Sequence, residues 1–485
     1  MTTNKLVIGD IFSNAARAVP DRVAAVLGTR SITFAALDSR TNRWARALRS
    51  MGVGRGSRVV LWCMTELDAV ALFGALAKLG GVFLPISGLL GRDEAAGILS
   101  ACSPDLLVTD SDRDLPTGAP PATTLNDLGE LAASHDDAPV PRTEISGRDP
   151  QVVFFTSGST GRPKGVILSH QANYLRTHPG ALLEPRGAMV CPYPLFHMGA
   201  WTIALQQWQA RDTVILLRSA DAGEICEAVD RHQASRLNCI PAVWLRIIEH
   251  VTSSGAGSLS TIRFADTGTS QTPPELLTAI ERTLPRAHLR VFYGSTEAGS
   301  VAFLDHVDIG RKPGSCGPPA PGVSVRLAED GELWATSAAL FDGYLDDPET
   351  TEACLVDGWY RTGDLAEEDG DGYLSIVGRT GDLVRTGGET VVPAEVEAVL
   401  AQHPGVRDVA VIGLPDPSWG ELVCAVVVPA PDGPTPTLDS LRGQCSGRLA
   451  PFKHPRRLHI VDALPRTAST GQVQRRLLTE QVEAG

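Results

Sequence analysis

The chain has 485 residues, too many for one ordinary hydrophobic core, so more than one domain is expected. Its 43% hydrophobic content suits a globular protein, and a net charge of −13 argues against a general nucleic-acid or anionic-membrane binder. Nine cysteines without a C-x-x-C pair, and an N-terminus without an apolar leader, point to reduced, mostly buried thiols in a cytoplasm.

Ile11 to Val19 reads as a short helix ended by Pro20. Thr33 caps a predicted helix to Met51, with Leu37, Trp44, Leu48 and Met51 on its buried face and Gly52 closing it. Arg58 to Trp62 is a continuous apolar run, the pattern of a parallel strand covered on both faces. A helix from Ala69 to Leu79, a strand from Val82 to Ile86, a helix from Glu94 to Ala101 and a strand from Leu106 to Thr109 follow. Ala69 to Leu90 is the most apolar stretch, but Lys78, glycines and Pro85 interrupt it too often for a membrane span. Strands alternating with helices predict an α/β fold. From Asp110 to Pro150 the text is Pro-, Asp- and Ala-rich and reads as a long surface connection with one helix, Leu125 to Ala133.

Then comes Phe154-Phe155-Thr156-Ser157-Gly158-Ser159-Thr160-Gly161-Arg162-Pro163-Lys164-Gly165. Glycines open the backbone N–H groups to a ligand, hydroxyls donate to phosphate oxygens, and Lys164 adds a point charge. The stretch is built to hold a polyphosphate. It is not a Walker A loop, because Gly165 follows Lys164 where Ser or Thr would open a helix. A Gly/Ser-rich surface turn is the simpler alternative; so many specified residue types in a row weigh against it.

Strand-like runs recur at Ala188–Tyr193, Thr213–Leu217 and Leu237–Ile240, with helices at Ala222–Ala234 and Ala242–Ser253. Thr261 to Ser270 is a strand running into the turn Gly268-Thr269-Ser270, and Leu289 to Gly294 is another, ending in Ser295-Thr296-Glu297. Polar residues at strand ends place ligands at the carboxyl edge of the sheet. From Gly310 short alternating strands suggest a small β subdomain, with Asp364 and Arg379 near one turn. After Gly378-Arg379-Thr380-Gly381 fresh α/β texture begins: a helix at Pro393–Gln402, strands at Val406–Ile412 and Val423–Val428, and a helix at Leu438–Leu449. The expected organisation is a large domain, 1–380, and a small one, 381–485.

Taken in order, these motifs resemble the adenylate-forming superfamily of acyl-CoA synthetases, luciferases and peptide-synthetase adenylation domains, over almost the whole chain. Phe155 to Gly165 resembles the family's phosphate loop, and Pro194-Leu195-Phe196-His197-Met198-Gly199 its acyl-pocket segment. Tyr293-Gly294-Ser295-Thr296-Glu297 resembles its adenine and Mg²⁺ motif, with Ser295 where Met is more usual. Gly343 to Glu349, Tyr360 to Leu365, Gly387-Gly388-Glu389 and Pro393 to Glu397 continue the series. The resemblance implies a large domain of parallel-rich sheets layered with helices, a small β subdomain, and a small mobile α+β C-terminal domain. It implies ATP and Mg²⁺, an acyl-adenylate, and transfer to CoA or a carrier protein's thiol. By match, Thr156, Ser157, Gly158, Ser159, Thr160, Lys164 and Thr296 meet phosphates, and Glu297 holds Mg²⁺. Gly268, Thr269, Ser270, Tyr293 and Gly294 frame the adenine, Asp364 binds ribose, Arg379 its phosphate side, and His197 borders the acid.

Two departures bear on chemistry. The family's C-terminal Pro-Arg-x-x-x-Gly-Lys reads here Pro465-Arg466-Thr467-Ala468-Ser469-Thr470-Gly471-Gln472, so neutral Gln472 stands at the place of the catalytic Lys. Arg475, Arg476 or Lys453 is a candidate to supply the missing charge. Gly381 replaces the usual hinge Asp or Lys. His197, Trp201 and Tyr293 suit a small aromatic acid. Three readings stay open: an AMP-forming ligase for such an acid; a relative that activates nitrite for diazotisation of an aryl amine; and a non-catalytic nucleotide-binding homologue.

Overall fold

The structure is a computed structural model that describes residues 6–111, 113–141, 145–157, 163–178, 187–254, 259–467 and 471–484. The chain divides into two compact units, one of Met1–Gly314, Pro319–Ser324 and Thr336–Tyr360, the other of Ser315–Pro318, Val325–Ala335 and Arg361–Gly485.

Two large sheets build the first unit. One has seven strands in the spatial order Gly343–Tyr344, Pro163–Ser169, Pro150–Ser157, Val82–Ser87, Arg58–Cys63, Leu106–Thr109 and Ala122–Thr124. Its centre is parallel, as the unbroken apolar runs require, and the hairpin of Pro150–Ser157 with Pro163–Ser169 is antiparallel. The other sheet has eight strands; six are parallel neighbours, from Val23–Leu27 across to His288–Ser295, with an antiparallel strand at each edge. Polar strand-end residues therefore collect at one edge of this sheet.

Thr33 caps the helix Phe34–Ser50, its Oγ1 accepting from Ala36 N at 3.2 Å. Leu37, Trp44 and Leu48 are buried as expected, but Met51 lies just past the helix and is 39% exposed. The helix Asp68–Leu79 is apolar on nearly every side and correspondingly buried all round. A Cβ at Gly74 would lie 2.6 Å from Thr41 Cγ2, so glycine permits the close approach of this helix to Phe34–Ser50. Trp201, expected near the acid pocket, is instead a core residue: its ring stacks on Phe73 at 4.2 Å and its indole donates to Leu195 O. The connection from Asp110 to Pro150 holds an unforeseen edge strand, Ala122–Thr124, parallel to Leu106–Thr109.

In the second unit, Val406–Asp416 and Gly420–Pro429 form a long antiparallel pair. Alternation sends Val411, Val423, Ala425 and Val427 to one face, against helices Pro393–Leu400 and Leu438–Cys445. Ala410, Ile412, Cys424 and Val426 face the other way, with Leu478 of the last helix. The predicted helix to Leu449 ends at Cys445, and Gly447 follows at φ +73°. A smaller ladder sets Asp364 opposite Arg379.

Eight of the nine cysteines are buried, free thiols. Among the described residues no helix is long and apolar enough to cross a membrane.

Candidate active site

In the first unit, the described ends of the polyphosphate stretch lie on two paired strands, Pro150–Ser157 and Pro163–Ser169. Thr156 stands opposite Lys164, and Thr156 Oγ1 donates to Lys164 O at 3.5 Å. Gly158, Ser159 and Thr160 lie outside the described residues, as does the side chain of Ser157. On the far side of the hairpin, Gly343–Tyr344 pairs with Val166 and Ile167. A Cβ at Gly165 would meet Val153 and Leu345 at 2.9 and 3.0 Å, so a larger residue would push this strand away.

That pairing brings Tyr344 to the centre of the site. Lys164 Nζ lies 5.1 Å from its ring centroid, within range of the attraction between a cation and an aromatic face. Its hydroxyl donates to Glu297 Oε1 at 3.0 Å. Burial first, then the Glu297 charge, pushes the Tyr344 pKa up, so the phenol stays a donor. Glu297 is only 9% exposed. Its corner is braced by Arg176, whose Nη1 donates to Thr296 O at 2.8 Å and whose Nη2 reaches Glu297 O at 3.3 Å and Ala339 O. Burial lowers the Arg176 pKa to about 10, against the pull of Glu297 and Asp342, so it remains a cation at neutral pH.

Tyr293 and Gly294 sit at a bulge between His288–Ser295 and Gly299–Leu304. A Cβ at Gly294 would fall 2.1 Å from Gly299 O, a steric demand for glycine. Ser295 Oγ accepts from Ala298 N at 3.1 Å and folds the turn that carries Thr296 and Glu297. Gly268 ends its strand where a Cβ would meet Phe292 O at 2.4 Å; Thr269 follows at φ +66°, and Thr269 and Ser270 are exposed.

His197 caps the helix Met198–Gln209, Nδ1 accepting from Gly199 N at 3.1 Å. Nδ1 is therefore unprotonated and the proton sits on Nε2. Burial lowers its pKa to about 4, so the ring is neutral at physiological pH. It stacks on Tyr193, whose hydroxyl donates to Asn238 Oδ1 at 2.7 Å.

In the second unit, Asp364 is 6% exposed and accepts from Arg379 Nε at 2.8 Å. The preceding turn, with Gly363 at φ +72°, is held by Glu332, which accepts from Gly363 N, Arg361 and Trp334 Nε1. Gln472 is half-buried; its main-chain O accepts from Thr467 N and its main-chain N donates to Thr467 Oγ1. The three candidate substitutes for the missing lysine charge are engaged elsewhere: Arg475 with Asp382 and Glu397, Arg476 with Glu480, and Lys453 with Glu395.

Tyr344, Arg176 and Glu332 were not among the residues expected from sequence. Tyr344 lay inside a noted motif without a role. Arg176 carries no local signal because its partners begin 120 residues away, and Glu332 holds the Asp364 turn through Gly363 N, 31 residues on.

Residues 12–345 match the AMP-binding enzyme family and residues 395–470 its C-terminal domain. The chain is a member of this adenylate-forming superfamily. It is 35% identical to a feruloyl-CoA synthase of an Amycolatopsis species, over 95% of this chain and 97% of the relative. It is 32% identical to an indoleacetate–CoA ligase of Aromatoleum aromaticum, over 93% of each. Its fold matches ATP-bound MatB of Rhodopseudomonas palustris with TM-score 0.87 at 28% identity, covering 98% of this chain and 99% of that one. The layered α/β architecture and small C-terminal domain are those of the superfamily.

Proposed function

We propose that this member of the family is an ATP-dependent, AMP-forming ligase that activates a small aromatic carboxylic acid and passes the acyl group to CoA or a carrier thiol. The observation that carries the reading is the convergence of Lys164, Tyr344 and Glu297 beside the Thr156 hairpin. A cation and a buried carboxylate meet around one tyrosine, which is what polyphosphate and a hard divalent cation need. Similarity to a feruloyl-CoA synthase and an indoleacetate–CoA ligase supports an aromatic acid and CoA, and similarity to a fatty acid–acyl-carrier-protein ligase of Streptomyces coeruleorubidus keeps a carrier thiol in view. The stacked Tyr193–His197 pair supports a flat substrate.

Among the described residues no cluster of three His, Cys, Asp or Glu makes a protein-only metal cage. A single carboxylate with the rest of the shell from phosphates and water fits Mg²⁺, and Glu297 would hold it; bound there, Mg²⁺ would neutralise phosphate charge. Thr156 to Thr160, Lys164 and Thr296 orient the phosphates, while Gly268 to Ser270, Tyr293 and Gly294 frame the adenine. Asp364 and Arg379 serve the ribose and its phosphate. A carboxylate oxygen of the acid then attacks the α-phosphorus, pyrophosphate leaves, and the acyl carbon of the resulting mixed anhydride is attacked by the thiol as AMP departs. His197, neutral with its proton on Nε2, borders the acid. Gln472 contributes a hydrogen bond in place of a charge. The small domain, 381–485, reorients between the half-reactions about Gly381, where an added Cβ would meet nothing within 4 Å. The free thiols suit work in the cytoplasm.

The test is AMP formation by the purified protein over aryl acids, fatty acids and malonate, with and without CoA, and over nitrite with an aryl amine. AMP with aryl acids and acyl-CoA on adding CoA supports the reading. AMP with nitrite alone, or none with any substrate, overturns it.

A further inference from the structure

Arg176 sits on the helix His170–Thr177, outside every motif read from the sequence. The residue is partly buried, its Nε is shielded from solvent, and among the described residues no carboxylate bonds it directly. Its Nη1 and Nη2 donate to three main-chain oxygens, those of Thr296, Glu297 and Ala339, while Nε has no hydrogen-bond partner among the described residues. A Cβ built at Gly299 would lie 3.6 Å from the Arg176 side chain, so that side chain also packs under the turn Ser295–Gly299. Glu297 O accepts from Phe341 N as well, at 2.8 Å, tying the same corner to the segment that leads to Tyr344. A fork of N–H groups can grip several carbonyls at once; an ammonium cannot reproduce that geometry. Burying part of a cation carries a desolvation penalty, and that penalty points to a task beyond filling space.

The geometry points to Arg176 as a positioning residue that fixes the Thr296–Glu297 corner, and with it the direction of the Glu297 carboxylate toward the divalent cation of the bound nucleotide. The inference rests on the assignment of Glu297 as the metal-holding carboxylate. Residues that orient a metal ligand typically change metal affinity roughly 10–100-fold when altered.

The experiment uses the full chain with ATP and Mn²⁺ as the probe, the ternary complex being followed by water-proton relaxation enhancement. Arg176→Lys keeps the charge but loses the fork, and is expected to weaken the ternary complex about 10–100-fold. In ATP–pyrophosphate exchange the half-saturating MgATP concentration should rise with it, while that for the acid stays unchanged. Arg176→Met should be weaker still; if it does not fold, Arg176→Lys decides alone. A purely structural residue would lower the melting temperature and leave Mn²⁺ binding within twofold of the wild type, and that result overturns the inference. Glu297→Gln separates the two layers: if it binds Mn²⁺ as the wild type does, the assignment of Glu297 fails and this inference with it. If Glu297→Gln loses binding and Arg176→Lys does not, only the role of Arg176 is refuted.

Discussion

Tyr344→Phe removes one hydroxyl and keeps the ring over which Lys164 lies, so it isolates the hydrogen bond to Glu297 Oε1. The acceptor is a carboxylate only 9% exposed, which water can re-solvate only in part. A hydrogen bond to a charged group contributes roughly 1.5–3 kcal/mol. At about 1.4 kcal/mol per tenfold, kcat/KM for MgATP should fall roughly 10–100-fold if the bond holds Glu297 in its working direction. The assay is ATP–pyrophosphate exchange at varied MgATP and saturating acid, with the melting temperature as a control. Tyr344→Leu, which also removes the aromatic face, should be worse than Tyr344→Phe. Exchange by Tyr344→Phe within twofold of the wild type would refute the idea that this contact orients the carboxylate.

Gln472→Lys restores a charge at the end of the chain; if Gln472 occupies the place of a catalytic cation, adenylation should rise, by up to roughly 10²–10³-fold, and no gain would mean that the charge is not wanted there. Gly294→Ala places a methyl group where Gly299 O already lies 2.1 Å away, so the melting temperature should drop, with a cost of roughly 1–3 kcal/mol. His197 has a folded-state pKa of about 4 against an ordinary 6.5. Its contribution to stability is therefore complete above pH 6.5 and is lost as the pH falls toward 4, because the unfolded chain binds the proton first. Urea midpoints should fall across that window, and less so in His197→Asn, since Asn can still cap the helix. Glu332→Gln, at the acceptor of Arg361 and Gly363 N, should lower the urea midpoint by roughly 1–2 kcal/mol equivalent, and an unchanged midpoint would count against its role under the Asp364 turn.

What was legible in the sequence depended on how local its cause was. The runs Arg58–Trp62 and Leu106–Thr109 read as buried parallel strands because a strand covered on both faces must be apolar throughout. Thr33 read as a cap because its hydroxyl acts three residues away. The glycines at Gly268 and Gly294 drew attention through their neighbours, and the structure supplies the reason, a carbonyl oxygen in the space of a Cβ. Trp201 read as a pocket aromatic only because it follows His197 in sequence. On a helix the two residues need not face the same way, and the core claimed it. The strand Ala122–Thr124 was missed because three residues at a sheet edge carry no periodicity. Arg176 was missed because a polar helix position ordinarily faces solvent. Here the partners that justify its burial come from chain segments more than a hundred residues on.

The central claim is that a carboxylate oxygen attacks the α-phosphorus of ATP. It is tested most directly by incubating the protein with MgATP, CoA and an aryl acid labelled with ¹⁸O in its carboxylate, and analysing the products by mass spectrometry. The account predicts AMP carrying one ¹⁸O in its phosphate, unlabelled pyrophosphate, and an aryl-CoA that has lost one of the two labelled oxygens. Unlabelled AMP, or ADP with phosphate in its place, would contradict it.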